Sequence, residues 1–247
     1  MLLSGAGQWR QLLAYRDVWI FTFALVVVLP LLGYLRFRQF VAAGARELSA
    51  ARKFGLYGRI ATTQWLLVVA MLLIARRHGL SMADVGQQVN NPPLTLLATG
   101  GLLLILAVVV IALLRRIRRS KQEKLEGAMG RVAMMAPASG GEFAAFSIVC
   151  LTAGICEELL FRGWLVSLLW TATGSVWAAV GIGGVLFGAG HAYQGPRGML
   201  RTGFIGLQLG LLFVATGSLI PGQVLHAGVD LLAGAAGVAI ASRRKTA

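Results

Sequence analysis

The chain has 247 residues, 57% hydrophobic and only 13% charged, a composition outside that of ordinary water-soluble domains. Its formal charge of +14 would suggest nucleic acid in a soluble protein, but the Lys and Arg residues lie between apolar runs long enough to cross about 30 Å of hydrocarbon. Nucleic-acid binding is therefore set aside, and the bilayer is the expected partner.

The first apolar run, 18–35, is followed by Arg36 and Arg38 where a signal peptide would need a small-residue cleavage site, so it reads as a retained span. Six further runs follow at 60–75, 94–114, 143–170, 176–191, 202–216 and 219–241. They are too continuous for the alternating strands of a barrel, and backbone polar groups in lipid must then be satisfied inside helices. The expected fold is all-α, a polytopic transmembrane bundle of about seven to eight helices. Cys150 and Cys156, six apart within one run, lack the spacing of a CxxC metal knuckle and the setting of a secreted disulfide framework; they read as packing residues.

Charge orients the bundle. Segments 36–59, 115–142, 193–201 and 242–247 hold 18 of the 23 basic residues; the alternate segments 1–17, 76–93, 171–175 and the turn at Thr216 and Gly217 hold four. Because Lys and Arg accumulate in cytoplasmic loops, this pattern predicts seven crossings with the N-terminus outside and the C-terminus cytoplasmic; an eighth, re-entrant or split segment within 143–191 stays open. Arg115 to Lys124 reads as a stop-transfer cluster in preference to an amphipathic helix lying on anionic lipid. The chain is expected to be one integral membrane domain. Residues 1–136 supply three helices with basic cytoplasmic loops, and 137–247 supply the helices that carry polar motifs.

Ionisable side chains within spans are costly and mark function by default. The first three runs have none in their apolar cores, whereas the C-terminal half has Glu157, Glu158 and Arg162 in one run, His191 at the end of another, and His226 with Asp230 in the last. Glu158 and Arg162, four apart, share a helical face and read as an ion pair. Glu157 lies about 100° away around a regular helix, without a partner, and suits a general base. His226 and Asp230 are again four apart, able to reach one metal ion, water or carbonyl together. With His191 and Glu157 they form a set of imidazoles and carboxylates suited to metal-assisted hydrolysis. His78, after Arg76 and Arg77 at a loop edge, is expected to be solvated. Runs rich in small residues (GIGGVLFGAG, GLQLG, AGAAG) allow close helix contact, within one chain or between chains.

Glu157-Glu158-x-x-x-Arg162, Phe187-x-x-x-His191 and His226-x-x-x-Asp230, in that order, resemble the three motifs of the CPBP intramembrane proteases, a group that includes the type II CAAX prenyl endopeptidases and bacterial Abi-like proteins. Phe161 and Gly163 extend the likeness to an EELLFRG phrase, and residues 79–86 (GLSMADVG) resemble a loop found upstream in that family. The resemblance implies an endopeptidase acting on a membrane-anchored protein or peptide, in a bacterial plasma (inner) membrane. It implies that Glu157 with His191 activates water, that His226 and residue 230 polarise the scissile carbonyl, and that Glu158, Arg162 and Phe187 shape the site. It leaves open a Zn ion held by Glu157, His191, His226 and Asp230 or a metal-independent mechanism. Where many members have Asn, this chain has Asp230, and an ionised Asp cannot donate to an oxyanion. Asp230 is then protonated, an acceptor that orients His226, or a metal ligand. A non-catalytic membrane scaffold, such as an immunity or export factor, is the alternative from another class. A transporter is disfavoured by the lack of paired broken-helix signatures in the two halves.

Overall fold

The computed structural model describes residues 6–42, 48–89, 91–119 and 130–246, and among them every regular element is helical. We number the helices α1 Ala6–Leu12, α2 Arg16–Ala42, α3 Ala50–Arg77, α4 Pro92–Arg119, α5 Gly140–Thr173, α6 Val176–Gly190, α7 Pro196–Thr216 and α8 Ile220–Thr246. Six of them, α2, α3, α4, α5, α7 and α8, are long and apolar enough to cross a membrane. The outward faces are apolar: Leu96, Leu97, Val185 and Leu200 are each more than 70% exposed. Surface of that kind is stable against lipid and not against water. The chain is an integral membrane protein with a helical transmembrane bundle.

Four details depart from what the sequence predicts. Run 176–191 folds as α6, whose 15 residues rise roughly 22 Å, less than the hydrocarbon thickness. The helix cannot start earlier, because Gly174 turns the chain at φ +70° and Ser175 caps it through the Ala178 amide. It ends at His191. The seven expected crossings are thus six full-length helices and one short one, with His191 capping the short one.

Segment 36–59, expected as a basic loop, is helical up to Ala42 and again from Ala50, where Ser49 caps α3 by accepting from Arg52 N. This brings Lys53 inside the protein, 3.0 Å from Glu142 Oε2 at the start of α5. The Lys aliphatic stem accommodates burial and the carboxylate offsets the charge. Finally, 1–17 contains α1, whose Trp9 and Leu12 are fully buried. Its apolar residues are three apart, but seven residues are too few for a search tuned to spans. His78 is not solvated: it stacks on Tyr15 with ring centroids 4.0 Å apart and meets Asp17 Oδ2 at 3.0 Å. Of the basic cluster Arg115 to Lys124, Ser120 to Lys124 lie outside the described residues; Arg115 and Arg116 continue α4 with exposed side chains.

The bundle closes around Trp164 of α5. Its ring meets Trp9 at 6.0 Å and Phe21 edge-on at 5.7 Å, and its Nε1 donates to Thr22 Oγ1, so one indole ties α1 and α2 to α5. Cys150 and Cys156 are buried and unbonded, as packing residues should be. Small residues in α6 and α7 make contacts within the chain: a Cβ on Gly184 would come within 3.1–3.3 Å of the α7 backbone at Gly203 and Leu207. The loop 79–86 tucks beneath α5, where Gly86 O accepts from Leu219 N and Val85 O lies against Gly163.

A Cβ added to Gly163 would sit 2.5 Å from that carbonyl, whereas one on Gly181 would meet nothing within 4 Å. Gly163→Ala is expected to destabilise the protein by about 1–3 kcal/mol, and Gly181→Ala to leave it unchanged or slightly more stable. Thermal unfolding of the purified variants in detergent measures the difference.

Candidate functional site

The regular helix of α5 ends at Glu157, and from Glu158 to Val166 the backbone widens into a π-helix. Such bulges cost regular hydrogen bonding and recur at functional sites. Here the change of pitch falls between two adjacent glutamates, which reach different helices. Glu157 Oε1 accepts from Gln64 Nε2 of α3 at 2.6 Å, and Glu158 Oε1 meets His226 Nδ1 of α8 at 2.9 Å.

Glu158 is the hub. The same Oε1 accepts from Arg162 at 2.7 Å, and Arg162 also donates to Gly206 O of α7 at 3.0 Å. The expected i, i+4 ion pair is present, but it carries a third member. Since the Arg keeps Glu158 ionised and a carboxylate only accepts, His226 Nδ1 carries the proton and Nε2 points the other way. Phe187 of α6 supports this network from below. Its ring lies 4.3 Å under the Arg162 guanidinium and meets the His226 ring edge-on at 5.8 Å.

His226 Nε2 faces the two remaining carboxylates, Glu157 Oε2 at 3.8 Å and Asp230 Oδ2 at 3.7 Å, distances too long for hydrogen bonds. Asp230 is therefore not the acceptor that orients His226; Glu158 takes that part. His191 joins through Phe187, whose carbonyl O lies 2.8 Å from His191 Nδ1. A carbonyl can only accept, so Nδ1 carries a proton. Phe187 meets both imidazoles, His191 at 4.8 Å and His226 at 5.8 Å between ring centroids. Side-chain exposure rises from 1% at Glu158 to 17% at Glu157 and 38% at Asp230, which gives the pocket a floor and an open side.

One atom stands apart. Glu157 Oε2 is buried with no hydrogen-bond partner among the described residues, and so is the amide oxygen of Gln64, whose Nε2 donates to Glu157 Oε1. Unsatisfied buried oxygens are expensive and call for a donor such as water. Gln64 is neutral and carries no charge signal in the sequence; a polar residue within the 60–75 run is the signal it leaves. As to metal, no group of three or more His, Cys, Asp or Glu side chains among the described residues converges as ligands would.

Residues 139–232 match the family model described as Type II CAAX prenyl endopeptidase Rce1-like. The matched segment contains Glu157, Glu158, Arg162, His191, His226 and Asp230. No curated protein and no solved structure matches the chain.

Removing Arg162 would leave Glu158 charged and buried. Arg162→Gln is expected to cost about 3–5 kcal/mol, and adding Glu158→Gln to recover part of that loss, because no lone charge then remains. Denaturant unfolding in detergent, run as a double-mutant cycle, reads the coupling; strictly additive losses would show that the pair is not coupled.

Proposed function

We propose that the chain, whose residues 139–232 match the Rce1-like family model, is a CPBP-family intramembrane endopeptidase using Glu157 as general base. The observation that carries this reading is Glu157 Oε2, a buried carboxylate oxygen without a partner, 3.8 Å from an imidazole nitrogen. A water about 2.8 Å from a carboxylate oxygen is held in hydrogen-bonding range and ready for proton abstraction.

In this scheme Gln64 fixes the Glu157 carboxylate through Oε1, leaving Oε2 to the water. His191 Nε2, unprotonated, accepts the second O–H and turns the water's lone pair toward the substrate. Glu157 Oε2 takes one proton as the water oxygen bonds to the scissile carbonyl carbon, and the carbonyl π pair moves to its oxygen. Collapse of the tetrahedral intermediate re-forms the carbonyl and expels the amine, which receives that proton from Glu157. The products are a carboxylic acid and an amine, and the carboxylate is restored. His226, protonated at both nitrogens amid three carboxylates and anchored by Glu158, donates from Nε2 to the developing oxyanion. Asp230 helps to balance that charge. Glu158, Arg162 and Phe187 hold the ring in place. Since no three-ligand cluster is found among the described residues, no step here runs through a metal.

The substrate reading follows the same premise: a membrane-anchored protein, with a prenylated C-terminus as one candidate. A shallow groove between α3 and α5, lined by Ala61, Trp65, Leu66 and Ile148 around the turn that bears Gln64, gives an apolar anchor a place to lie beside the site. The basic loops favour an N-terminus outside and a C-terminus in the cytoplasm of a bacterial inner membrane.

The test is cleavage in proteoliposomes of two quenched fluorescent reporters, one ending in a farnesylated CAAX sequence and one held by an unmodified transmembrane segment. Glu157→Gln, with unchanged folded yield, and His226→Ala, with rates taken per folded molecule because Glu158 loses a buried donor, are each expected to lower kcat by on the order of 10³-fold or more. Cleavage by the wild type is expected to survive a chelator. Equal rates in all three proteins would defeat the enzyme reading in favour of a scaffold, in which these substitutions lower only the amount of folded protein.

A further inference from the structure

An oxyanion forming at this site needs hydrogen-bond donors. Asp230, whose Oδ2 lies 3.7 Å from His226 Nε2, supplies none when ionised. The nearby side-chain donors each hold another acceptor: Gln64 Nε2 on Glu157, Gln223 Nε2 on Gln87, Arg162 on Glu158 and Gly206. Among these described side chains, His226 Nε2 is left to face the charge.

Two residues after His191 the chain makes a 3₁₀ turn, Ala192–Gln194, that joins α6 to α7. Tyr193 lies on this turn, partly buried, with its ring centroid 5.8 Å from that of His191. Phe37 of α2 packs against the ring at 5.7 Å. The hydroxyl oxygen is positioned by Gln194, which donates to it from Nε2, and Gln194 is in turn held by Thr202 Oγ1. In that arrangement the oxygen is an acceptor, and its own O–H is not taken up by any described group.

We propose that Tyr193 is a further catalytic residue, whose O–H donates a hydrogen bond to the substrate oxyanion and supplies the donor that Asp230 lacks. This rests on the hydrolytic reading above and deepens it. The geometric link to the site is the Tyr193 ring, 5.8 Å from that of His191. Burial, opposed by the Gln194 hydrogen bond and reinforced by the charges of Glu157 and Asp230, pushes the phenol up to about 12. A tyrosine whose ordinary value is about 10 thus keeps its proton through the neutral and mildly alkaline range, as a donor must. No proton is transferred from it: the O–H bond stays intact while negative charge grows and fades on the carbonyl oxygen.

Tyr193→Phe removes the donor while keeping the ring that touches Phe37 and His191. With the full-length protein and the two reporters above, kcat is expected to fall about 100-fold, the usual loss for one oxyanion donor, with KM changed less than about threefold and the melting temperature unchanged. Adding Asp230→Asn to Tyr193→Phe restores an amide donor and is expected to recover at least about tenfold of the lost rate. A Tyr193→Phe rate within about threefold of wild type would overturn the proposal. So would a loss that tracks a lowered melting temperature and is not recovered by Asp230→Asn, since that marks a packing role. A wild type that cleaves neither reporter would instead overturn the hydrolytic reading, and this inference with it.

Discussion

Everything at the polar centre depends on one oxygen, Glu158 Oε1, which is shared between the Arg162 guanidinium and His226 Nδ1. Both groups are almost completely excluded from solvent. A carboxylate in that position cannot be hydrated, so the two donors must stay, and each brings a helix with it. Arg162 extends the link to α7 through Gly206 O, and His226 is α8 itself. The ion pair therefore fixes where three helices meet and, by holding Nδ1, decides that Nε2 of His226 looks into the pocket. Stability and ring orientation come from the same contacts, as expected where a polar network must be fully satisfied or not exist.

The adjacent glutamate has the opposite fate because neighbouring residues point about 100° apart around a helix and so meet different partners. One carboxylate is consumed by structure and the other keeps a bare oxygen, with the π-helical stretch starting between them. The cost of that bare oxygen is tolerable only because the neighbourhood is over-determined. Gln64 clamps its partner oxygen from α3, and Phe187 wedges beneath both imidazoles from α6.

Much of this was readable from residue order. Apolar runs located the helices because lipid permits little else, and charges inside those runs located the site because lipid penalises them. The Glu158–Arg162 pair followed from spacing alone. What escaped did so for physical reasons. Lys53 resembles a loop charge until Glu142 is placed 3.0 Å from it, and no rule of sequence spacing joins residues 89 apart. His78 resembled a solvated edge residue for the same reason: Asp17 and Tyr15 come from another helix's approach. Gln64 is neutral and so carries no charge signal, although its effect on Glu157 is direct. The π-helix has no composition of its own, and the short α6 reads as a span until its caps at Ser175 and His191 are seen.

The shortness of α6 connects the fold to the chemistry. A helix of full length would carry its C-terminal residue out to the headgroups, whereas α6 stops after roughly 22 Å and turns at once into α7 through the 3₁₀ turn that holds Tyr193. Irregular backbone beside a membrane-spanning bundle needs protein around it. Here Phe37 packs on the Tyr193 ring at 5.7 Å and the His191 ring lies 5.8 Å from it. The early end of α6 thus places an imidazole at the helix terminus and a phenol two residues beyond it.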